Sequence, residues 1–259
     1  MAKYNVHAGH NPSGRVACGA VGILDESKEN RLIAKEMVRL LKLNSQTVYD
    51  CTVDNGTSAG DVLKKIVEKC DSHKVQGDYS IHLNSGRKDK EGDGSIGGFE
   101  VLVTSTANGK GEVAKRIRKN MTALGFKDRG TKIRNDLYVL NKTDAPAFIL
   151  EICFVDDKDD AELYKAVGYK KIAQAIVKGI LNKTSIKTSA EPVFNPYMVK
   201  ITTKTLNVRA GAGTNHKVTC QVKKDEVFTI AGEKMNGKTK WLQLKSGKGF
   251  ISANYTKKL

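Results

Sequence analysis

The chain has 259 residues, of which 39% are hydrophobic, and it carries a formal net charge of +16. This length allows one large domain or two smaller domains. No apolar run approaches the length of a transmembrane helix and no secretory signal peptide precedes the first predicted strand, so the sequence argues against stable membrane insertion and predicts a protein held in the cytoplasm.

Strands and helices alternate through the first 181 residues. Short apolar runs predict strands at residues 4–6, 47–49, 79–83, 99–103 and 148–154. Apolar residues at helical spacing predict helices within residues 32–41, 62–70, 113–124 and 172–181. This alternation is typical of an α/β fold, in which a mainly parallel sheet carries helices on both faces and binds ligands at the carboxyl ends of its strands.

The C-terminal quarter follows a different pattern. Residues 182–198 contain lysine, threonine and serine without apolar periodicity, which predicts a linker between a domain at 1–181 and a second domain at 199–259. Glycine and lysine turns divide the second domain into short apolar runs. These runs predict a small all-β barrel, with strands at 199–203, 206–208, 218–222, 227–231 and 241–244.

Positive charge is concentrated in that second domain. Residues 1–181 carry a net charge of +5, whereas residues 199–259 carry 13 Lys and Arg against 3 Asp and Glu. Such an excess favours an anionic partner, and charge alone does not choose among nucleic acid, a membrane surface and the phosphate-bearing polymers of a bacterial wall. A solvated basic face without a specific partner is the remaining alternative.

Two histidines are candidates for a metal site. His10 and His82 each lie where a predicted strand runs into a polar turn, which is a favoured position for catalytic groups in α/β folds. Zinc held for hydrolysis takes three protein ligands from His, Glu and Asp and leaves a fourth position for water. The pair therefore suggests a metal site, although surface or core histidines would produce the same spacing.

Five segments point to a particular family. In chain order they are 6–11, 22–34, 80–85, 98–101 and 137–151, and together they resemble the zinc-dependent N-acetylmuramoyl-L-alanine amidases. The resemblance implies an enzyme that cleaves the amide bond between N-acetylmuramic acid and the L-alanine of the stem peptide in bacterial peptidoglycan. Without an export signal, the chain looks like a phage endolysin, which stays in the host-cell cytoplasm until it is released to the cell wall.

Residue by residue, the resemblance assigns His10, Glu26 and His82 as ligands of a Zn²⁺ cofactor. Glu29 is a competing carboxylate, because it lies three residues after Glu26 at the same helix start. The family has an asparagine and an alanine four and eight positions after its glutamate ligand, and this sequence has them after Glu26. Glu29 is then expected to be a solvated first-turn carboxylate that the helix dipole favours.

The resemblance also makes Glu151 the catalytic carboxylate, placed where the strand 148–150 ends. Glu151 lies between two apolar runs, a setting that raises the pKa of a carboxyl group toward the working pH. It is expected to accept a proton from zinc-activated water and to pass it to the departing alanine nitrogen. A charged residue at a strand end with no catalytic role is the plainer interpretation.

The remaining candidates lie around these four residues. His7 stands where many relatives carry aspartate. His7 and His10 could both bind the zinc, but residues i and i+3 of a strand point to opposite faces. A hydrogen bond from His7 to a zinc ligand is therefore favoured over direct binding. Arg134 either binds a stem-peptide carboxylate or is simply solvated, and Asn84 is a second candidate for substrate binding. The stretch 84–98 is either a mobile loop beside the zinc or a plain surface loop.

The second domain resembles a bacterial Src-homology-3-like wall-binding domain in residues 206–214, 241–244 and 249–255. Relatives bind the wall, so the expected partners are peptidoglycan and anionic wall polymers, the latter through an attraction that weakens with salt. Trp241, Phe250 and Tyr255 are either ligand-stacking residues or part of the core of the small barrel.

The whole sequence thus predicts a peptidoglycan hydrolase in which a zinc amidase is joined to a wall-targeting domain that raises the local substrate concentration. The alternatives are a zinc peptidase that cuts within the stem peptide and a non-catalytic wall-binding protein. Nucleic-acid binding would leave His10, Glu26, His82 and Glu151 unexplained, so no nucleic-acid partner is expected. Imidazole and carboxylate ligands also suit divalent metals other than zinc.

Overall fold

The structure, a computed structural model, describes residues 1–188 and 194–259. The chain divides into two compact units, residues 1–188 and 189–259, and each is described by itself. The first residues of the predicted linker at 182–198 belong to the first unit instead. Ile186 packs against the core of that unit, and the Asn44 side chain forms hydrogen bonds with the backbone N–H and C=O of Lys187, at 2.9 and 3.1 Å. Residues 189–193 of that linker lie outside the described residues.

The first unit contains every strand and helix that the apolar patterns predict. Its strands are β1 Lys3–Ala8, β2 Thr47–Asp50, β3 Asp78–Asn84, β4 Phe99–Val103, β5 Asp128–Ile133 and β6 Ala147–Phe154. Its helices are α1 Glu26–Leu43, α2 Ala59–Asp71, α3 Lys110–Thr122, α4 Tyr138–Lys142, α5 Lys158–Val167 and α6 Tyr169–Leu181. Strand β5 and helices α4 and α5 are additions to the prediction.

The six strands form one sheet in the order β2-β1-β3-β6-β4-β5. Every neighbouring pair is parallel except β4 and β6, which run antiparallel, so the prediction of a mainly parallel sheet is confirmed. Strand β6 lies inside the sheet and is apolar over most of its length, as expected for a strand buried on both faces. Its one charged residue, Glu151, is its fifth of eight.

Helices cover both faces of this sheet, and the two faces differ in chemistry. Apolar side chains of α1, α3 and α6 pack on one face against alternate residues of the strands, such as Tyr79, Ile81 and Leu83 of β3. On the other face, α4 packs on the sheet through Leu140, beside the apolar start of β6. Because side chains alternate along a strand, His82 falls on the face of α4 rather than in the main core.

The second unit is a separate antiparallel sheet. Its strands are β7 Tyr197–Ile201, β8 Thr205–Arg209, β9 Val218–Lys223, β10 Val227–Asn236, β11 Thr239–Leu244, β12 Phe250–Ser252 and β13 Thr256–Lys258, in the order β13-β7-β10-β11-β12-β8-β9. A small core that includes Ile201, Val208, Ile230 and Ile251 holds it together. Within the described parts of both units, no helix is long and apolar enough to cross a bilayer.

Candidate metal centre

Three predicted ligands meet at the start of helix α1. The Oε1 atom of Glu26 lies 3.2 Å from Nε2 of His10 and 3.1 Å from Nδ1 of His82. The three ligand atoms all lie within 4.8 Å of one another, and the Glu26 side chain is nearly fully buried. We call His10, Glu26 and His82 the ligand cluster.

The sheet brings the two imidazoles of the ligand cluster side by side. Strands β1 and β3 are parallel neighbours with Ala8 opposite Ile81, so the turn after β1 places His10 beside His82. The two rings cross edge to face with centroids 4.7 Å apart. The strand-end prediction is wrong for His82, because β3 continues to Asn84, and also for Glu151, which lies inside β6.

Two glycines make room for the ligand cluster. A Cβ atom on Gly9 would lie 1.9 Å from Nε2 of His82, which leaves no space for any side chain there. A Cβ atom on Gly19 would lie 2.5 Å from Oε2 of Glu26, and the backbone of Gly19 has a positive φ of 77°. Both positions therefore require glycine, since the backbone approaches the ligand side chains too closely for any larger residue.

Backbone groups hold the Glu26 carboxylate from two sides. Its Oε1 accepts a hydrogen bond from the amide of Leu83 at 3.1 Å, and its Oε2 accepts one from the amide of Ala20 at 2.8 Å. Burial raises the pKa of Glu26, but hydrogen bonds and charge from His10 and His82 outweigh it and hold the pKa well below its usual range. Glu26 is therefore an anion at every pH where the enzyme would work.

The ligand cluster fits a divalent metal ion of the zinc type. Two imidazole nitrogens and one carboxylate oxygen form a donor set that hydrolytic zinc sites use. With bond lengths typical of zinc, two donors of a tetrahedral site lie about 3.3 Å apart. The contacts of Glu26 with His10 and His82, at 3.2 and 3.1 Å, are close to that separation.

Glu151 lies next to the ligand cluster in the sheet. It is opposite His82 across β3 and β6 and opposite Glu100 across β6 and β4. Its Oε2 atom is buried and has no hydrogen-bond partner among the described residues. Burial, together with the charges of Glu26 and Glu100, raises the pKa of Glu151 to about 7, against a lowering effect of His82 and Arg134. Such a carboxyl group exchanges protons near neutral pH.

A second carboxylate beside Glu151 was given no role by the sequence. Glu100 is almost fully buried. Its Oε1 accepts a hydrogen bond from Nδ2 of Asn84 at 3.0 Å, and its Oε2 accepts a hydrogen bond from Nε of Arg129 at 3.1 Å. The Arg129 guanidinium in turn lies 4.9 Å above the ring of Phe154. The available signal was a lone Glu in the otherwise apolar strand β4.

The two candidates for substrate binding differ in their surroundings. Asn84 uses its amide inside the protein, because its Nδ2 donates to Glu100 and its Oδ1 accepts from the backbone of Ser85 at 2.9 Å. Arg134 remains partly exposed just after β5, where it forms a two-pronged ion pair with Asp136 at 2.8 and 2.7 Å. The charge of Arg134 has a lowering effect on the pKa of Glu151.

Two neighbours of the ligand cluster behave differently from expectation. His7 is fully buried and does not belong to the ligand cluster, and burial lowers its pKa to about 4. Its Nδ1 lies 3.3 Å from the carbonyl oxygen of Ala8, and its Nε2 has no partner among the described residues. The predicted hydrogen bond from His7 to a ligand is therefore not formed. Glu29 is not a solvated carboxylate, because it accepts a 2.7 Å hydrogen bond from the hydroxyl of Tyr164.

The segment 84–98, for which a mobile loop was one interpretation, is anchored at several points. Asp156 accepts hydrogen bonds from the successive backbone amides of residues 86–88, and Arg87 pairs with the buried Asp157 at 2.9 Å. At the far end, Asp160 accepts from the amide of Gly98 at 3.1 Å. The acidic residues around the start of α5 thus hold this segment against the sheet.

Comparison with known families agrees with this architecture. The family model described as N-acetylmuramoyl-L-alanine amidase matches residues 5–182, and the model described as bacterial SH3 domain matches residues 204–257. The first match covers more than half of the chain. The chain belongs to the N-acetylmuramoyl-L-alanine amidase family and carries a bacterial SH3 domain in its second unit.

Individual relatives include an endolysin. An uncharacterized protein of Clostridium perfringens is 31% identical over 201 residues, which cover 73% of this chain and 54% of that protein. The endolysin of Bacillus phage SPP1 is 28% identical over 62% of this chain and 59% of its own length. The chain therefore spans somewhat more than half the length of these curated relatives.

A solved structure resembles the first unit closely. The catalytic domain of the CD27L endolysin, which targets Clostridia difficile, has a TM-score of 0.64 and 26% identity over 71% of this chain and 99% of that domain. The catalytic domain of CwlV, an N-acetylmuramoyl-L-alanine amidase from Bacillus (Paenibacillus) polymyxa, has a TM-score of 0.58 and 27% identity over 72% of this chain. The fold of the first unit is that of these amidase domains.

Proposed function

We propose that the chain is a zinc-dependent peptidoglycan amidase of endolysin type, which hydrolyses the bond between N-acetylmuramic acid and the L-alanine of the stem peptide. The observation that carries the proposal is the contact of Glu26 with both His10 and His82, beside the buried Oε2 of Glu151, which has no partner among the described residues. Membership of the amidase family and likeness to the CD27L catalytic domain support the substrate and the bond.

The ligand cluster would hold the metal ion, and Glu151 would move the proton. A zinc ion bound there supplies polarisation of the amide carbonyl and a lower pKa for nearby water. Glu151 accepts a proton from the attacking water and donates it to the alanine nitrogen as the C–N bond breaks. A pKa near 7 suits both steps, because the carboxyl group gains and loses a proton with little cost in free energy.

The surrounding polar residues would position these groups and the substrate. Asn84 and Arg129 fix the carboxylate of Glu100, whose charge helps to keep the pKa of Glu151 high. We assign Asn84 a positioning role through Glu100, since both polar atoms of its amide are used within the protein. Arg134, which is partly exposed, is our candidate for pairing with a carboxylate of the stem peptide.

The second unit would hold the enzyme on the wall. The bacterial SH3 domain model matches residues 204–257, and residues 199–259 contain 13 basic residues and only 3 acidic ones. Such a surface attracts anionic wall polymers, and a tethered binder raises the local concentration of substrate for the first unit. A stage in the host cytoplasm, before release to the wall of a Gram-positive host, remains part of the proposal.

The test is digestion of purified Gram-positive walls by three samples: the purified protein, chelator-treated protein and zinc-restored protein. Mass analysis of the released fragments identifies the bond. Chelator-sensitive release of stem peptides with a free alanine amine is expected. Release of peptide fragments while alanine stays attached to muramic acid would replace the amidase with a zinc peptidase, and wall binding without any release would leave a non-catalytic binding protein.

A further inference from the structure

The second unit contains a groove to which the catalytic proposal gives no role. Its volume is about 560 Å³, which is within the range of ligand sites, and all of its lining residues belong to the second unit. The buried indole of Trp241 contributes to its lining, together with the half-exposed ring of Tyr255. The lining is otherwise dominated by amide and hydroxyl side chains, including Asn207 and Gln221.

The charge of this groove differs from that of the surface around it. Residues 199–259 contain 12 lysines and one arginine, yet that arginine, Arg209, is the one charged residue in the lining, which contains no lysine, Asp or Glu. A site for a polyanion would present a row of cations. The groove instead matches a ligand that is largely neutral, rich in hydrogen-bonding groups, and carries isolated negative charges.

Internal hydrogen bonds hold several polar side chains of the groove in place and leave some of their donors and acceptors available to a ligand. Nε2 of Gln221 donates to Oδ1 of Asn207 at 2.9 Å, which leaves the Asn207 amide donor and the Gln221 carbonyl without partners among the described residues. One nitrogen of Arg209, Nη1, donates to the carbonyls of Thr214 and His216 at 2.9 Å, and the remaining donors of this guanidinium have no such partner. A guanidinium held in this way can pair with a carboxylate at little cost in conformational entropy.

We propose that this groove binds the glycan strand of peptidoglycan, with the acetamido and hydroxyl groups on Asn207 and Gln221, a sugar face on Tyr255 and a lactyl carboxylate on Arg209. An acetamido sugar that bears one carboxylate has the neutral polar groups and the isolated charge that the lining requires. The inference rests on the proposed function, because the amidase reaction is what frees the lactyl carboxylate. The second unit would then hold the enzyme on strands from which the stem peptides have been removed.

The experiment uses the single tryptophan of the chain as the reporter, since Trp241 lines the groove. Full-length, metal-free protein is titrated with a tetrasaccharide of alternating N-acetylglucosamine and N-acetylmuramic acid with free carboxylates, and fluorescence is recorded. A saturable change is expected, and tetra-N-acetylchitotetraose, which lacks the carboxylate, is expected to bind about tenfold more weakly. A saturable change only with a free stem peptide, or only with polyphosphate, would overturn the proposal, as would no saturable change.

Matched variants localise the response to the groove. Tyr255→Ala and Gln221→Ala are expected to weaken tetrasaccharide binding about fivefold or more, at the scale of one lost hydrogen bond or aromatic contact. Met235→Ala removes an exposed apolar side chain of the same unit outside the groove and is expected to bind like the parent. Equal affinities of all three variants and the parent would place the ligand elsewhere.

The outcome is separable from that of the catalytic proposal. Titration of the metal-free protein requires no hydrolysis, so a failure of sugar binding with amidase activity intact refutes the groove alone. Loss of amidase activity with sugar binding intact refutes the catalytic proposal and leaves the groove as a glycan site. A peptidase product pattern would likewise refute the amidase reaction alone, because the affinities for the two tetrasaccharides are measured without any hydrolysis.

Discussion

The two units place their charged residues in opposite ways. In the first unit, the candidate functional carboxylates and imidazoles are buried or half-buried, and each contacts a few defined partners, as Glu26 does. In the second unit, most of the excess charge lies on exposed lysines such as Lys217 and Lys238, while the groove carries only Arg209. Single substitutions should therefore have large effects on function in the first unit and small, cumulative effects in the second.

The largest effect is expected for Glu26→Gln. An amide lacks the charge that the ligand cluster contributes to a divalent cation, so zinc binding and wall hydrolysis should both fall to background. Glu29→Gln is the matched control, three residues along the same helix, and should retain both because an amide oxygen still accepts from Tyr164. Zinc content after dialysis and turbidity loss of walls are the measurements; full zinc content in Glu26→Gln would remove Glu26 from the ligand set.

The next effect is expected for Glu151→Gln. The variant keeps His10, Glu26 and His82, so its zinc content should match that of the parent, whereas hydrolysis should fall by about 10²- to 10⁴-fold because proton transfer is lost. Initial rates on purified walls at equal zinc loading measure this change. A rate within twofold of the parent would show that another group transfers the proton.

A smaller effect concerns stability in the metal-free protein. Burial raises the pKa of Glu151 from 4.5 to about 7, so folding disfavours its ionised form. Stability associated with the protonated carboxyl is fully present below pH 4.5 and is lost as pH rises through about 7. Glu151→Gln should therefore stabilise the protein by about 3 kcal/mol at pH 8 and not at pH 4. Urea unfolding at both pH values tests this; an equal difference at both would contradict it.

The smallest effect is expected on the basic surface. Replacing Lys217, Lys234, Lys238 and Lys248, all exposed, with glutamine removes four charges outside the groove. Wall binding at low salt should weaken about tenfold and should depend less steeply on salt, while the rate on a small soluble muropeptide stays unchanged. Sedimentation of the protein with walls at two salt concentrations measures the effect. An unchanged salt dependence would show that these lysines do not attract the wall.

The parts of the fold that the sequence predicted are those with strong apolar periodicity. Helices α1, α2, α3 and α6 each bury a stripe of apolar residues, and such stripes are visible without a structure. The missed elements lack that signal. Strand β5, with sequence DRGTKI, is a polar edge strand, and α4 spans only five residues. Tertiary packing stabilises both: β5 pairs with β4, and α4 buries Val139 and Leu140 although it is too short to show a helical period.

The site shows the same division between local pattern and tertiary contact. The resemblance to the amidases assigned His10, Glu26, His82 and Glu151, and the structure brings these side chains together from the turn after β1 and from α1, β3 and β6. No local pattern linked Glu100 to Arg129. That ion pair joins residues 29 positions apart and exists because β4 and β5 pair in parallel.

By itself, the sequence determined the alternating α/β elements and the change to a basic β domain, because periodicity and charge are local properties of the chain. The candidate metal ligands were assigned through the resemblance to the amidases. Only the tertiary structure decided that Glu151 lies inside a strand next to Glu100, and that a groove of nearly neutral lining forms within the basic second unit. The physical reason is that burial and pKa depend on which strands pair, and pairing brings together residues that are far apart in the chain.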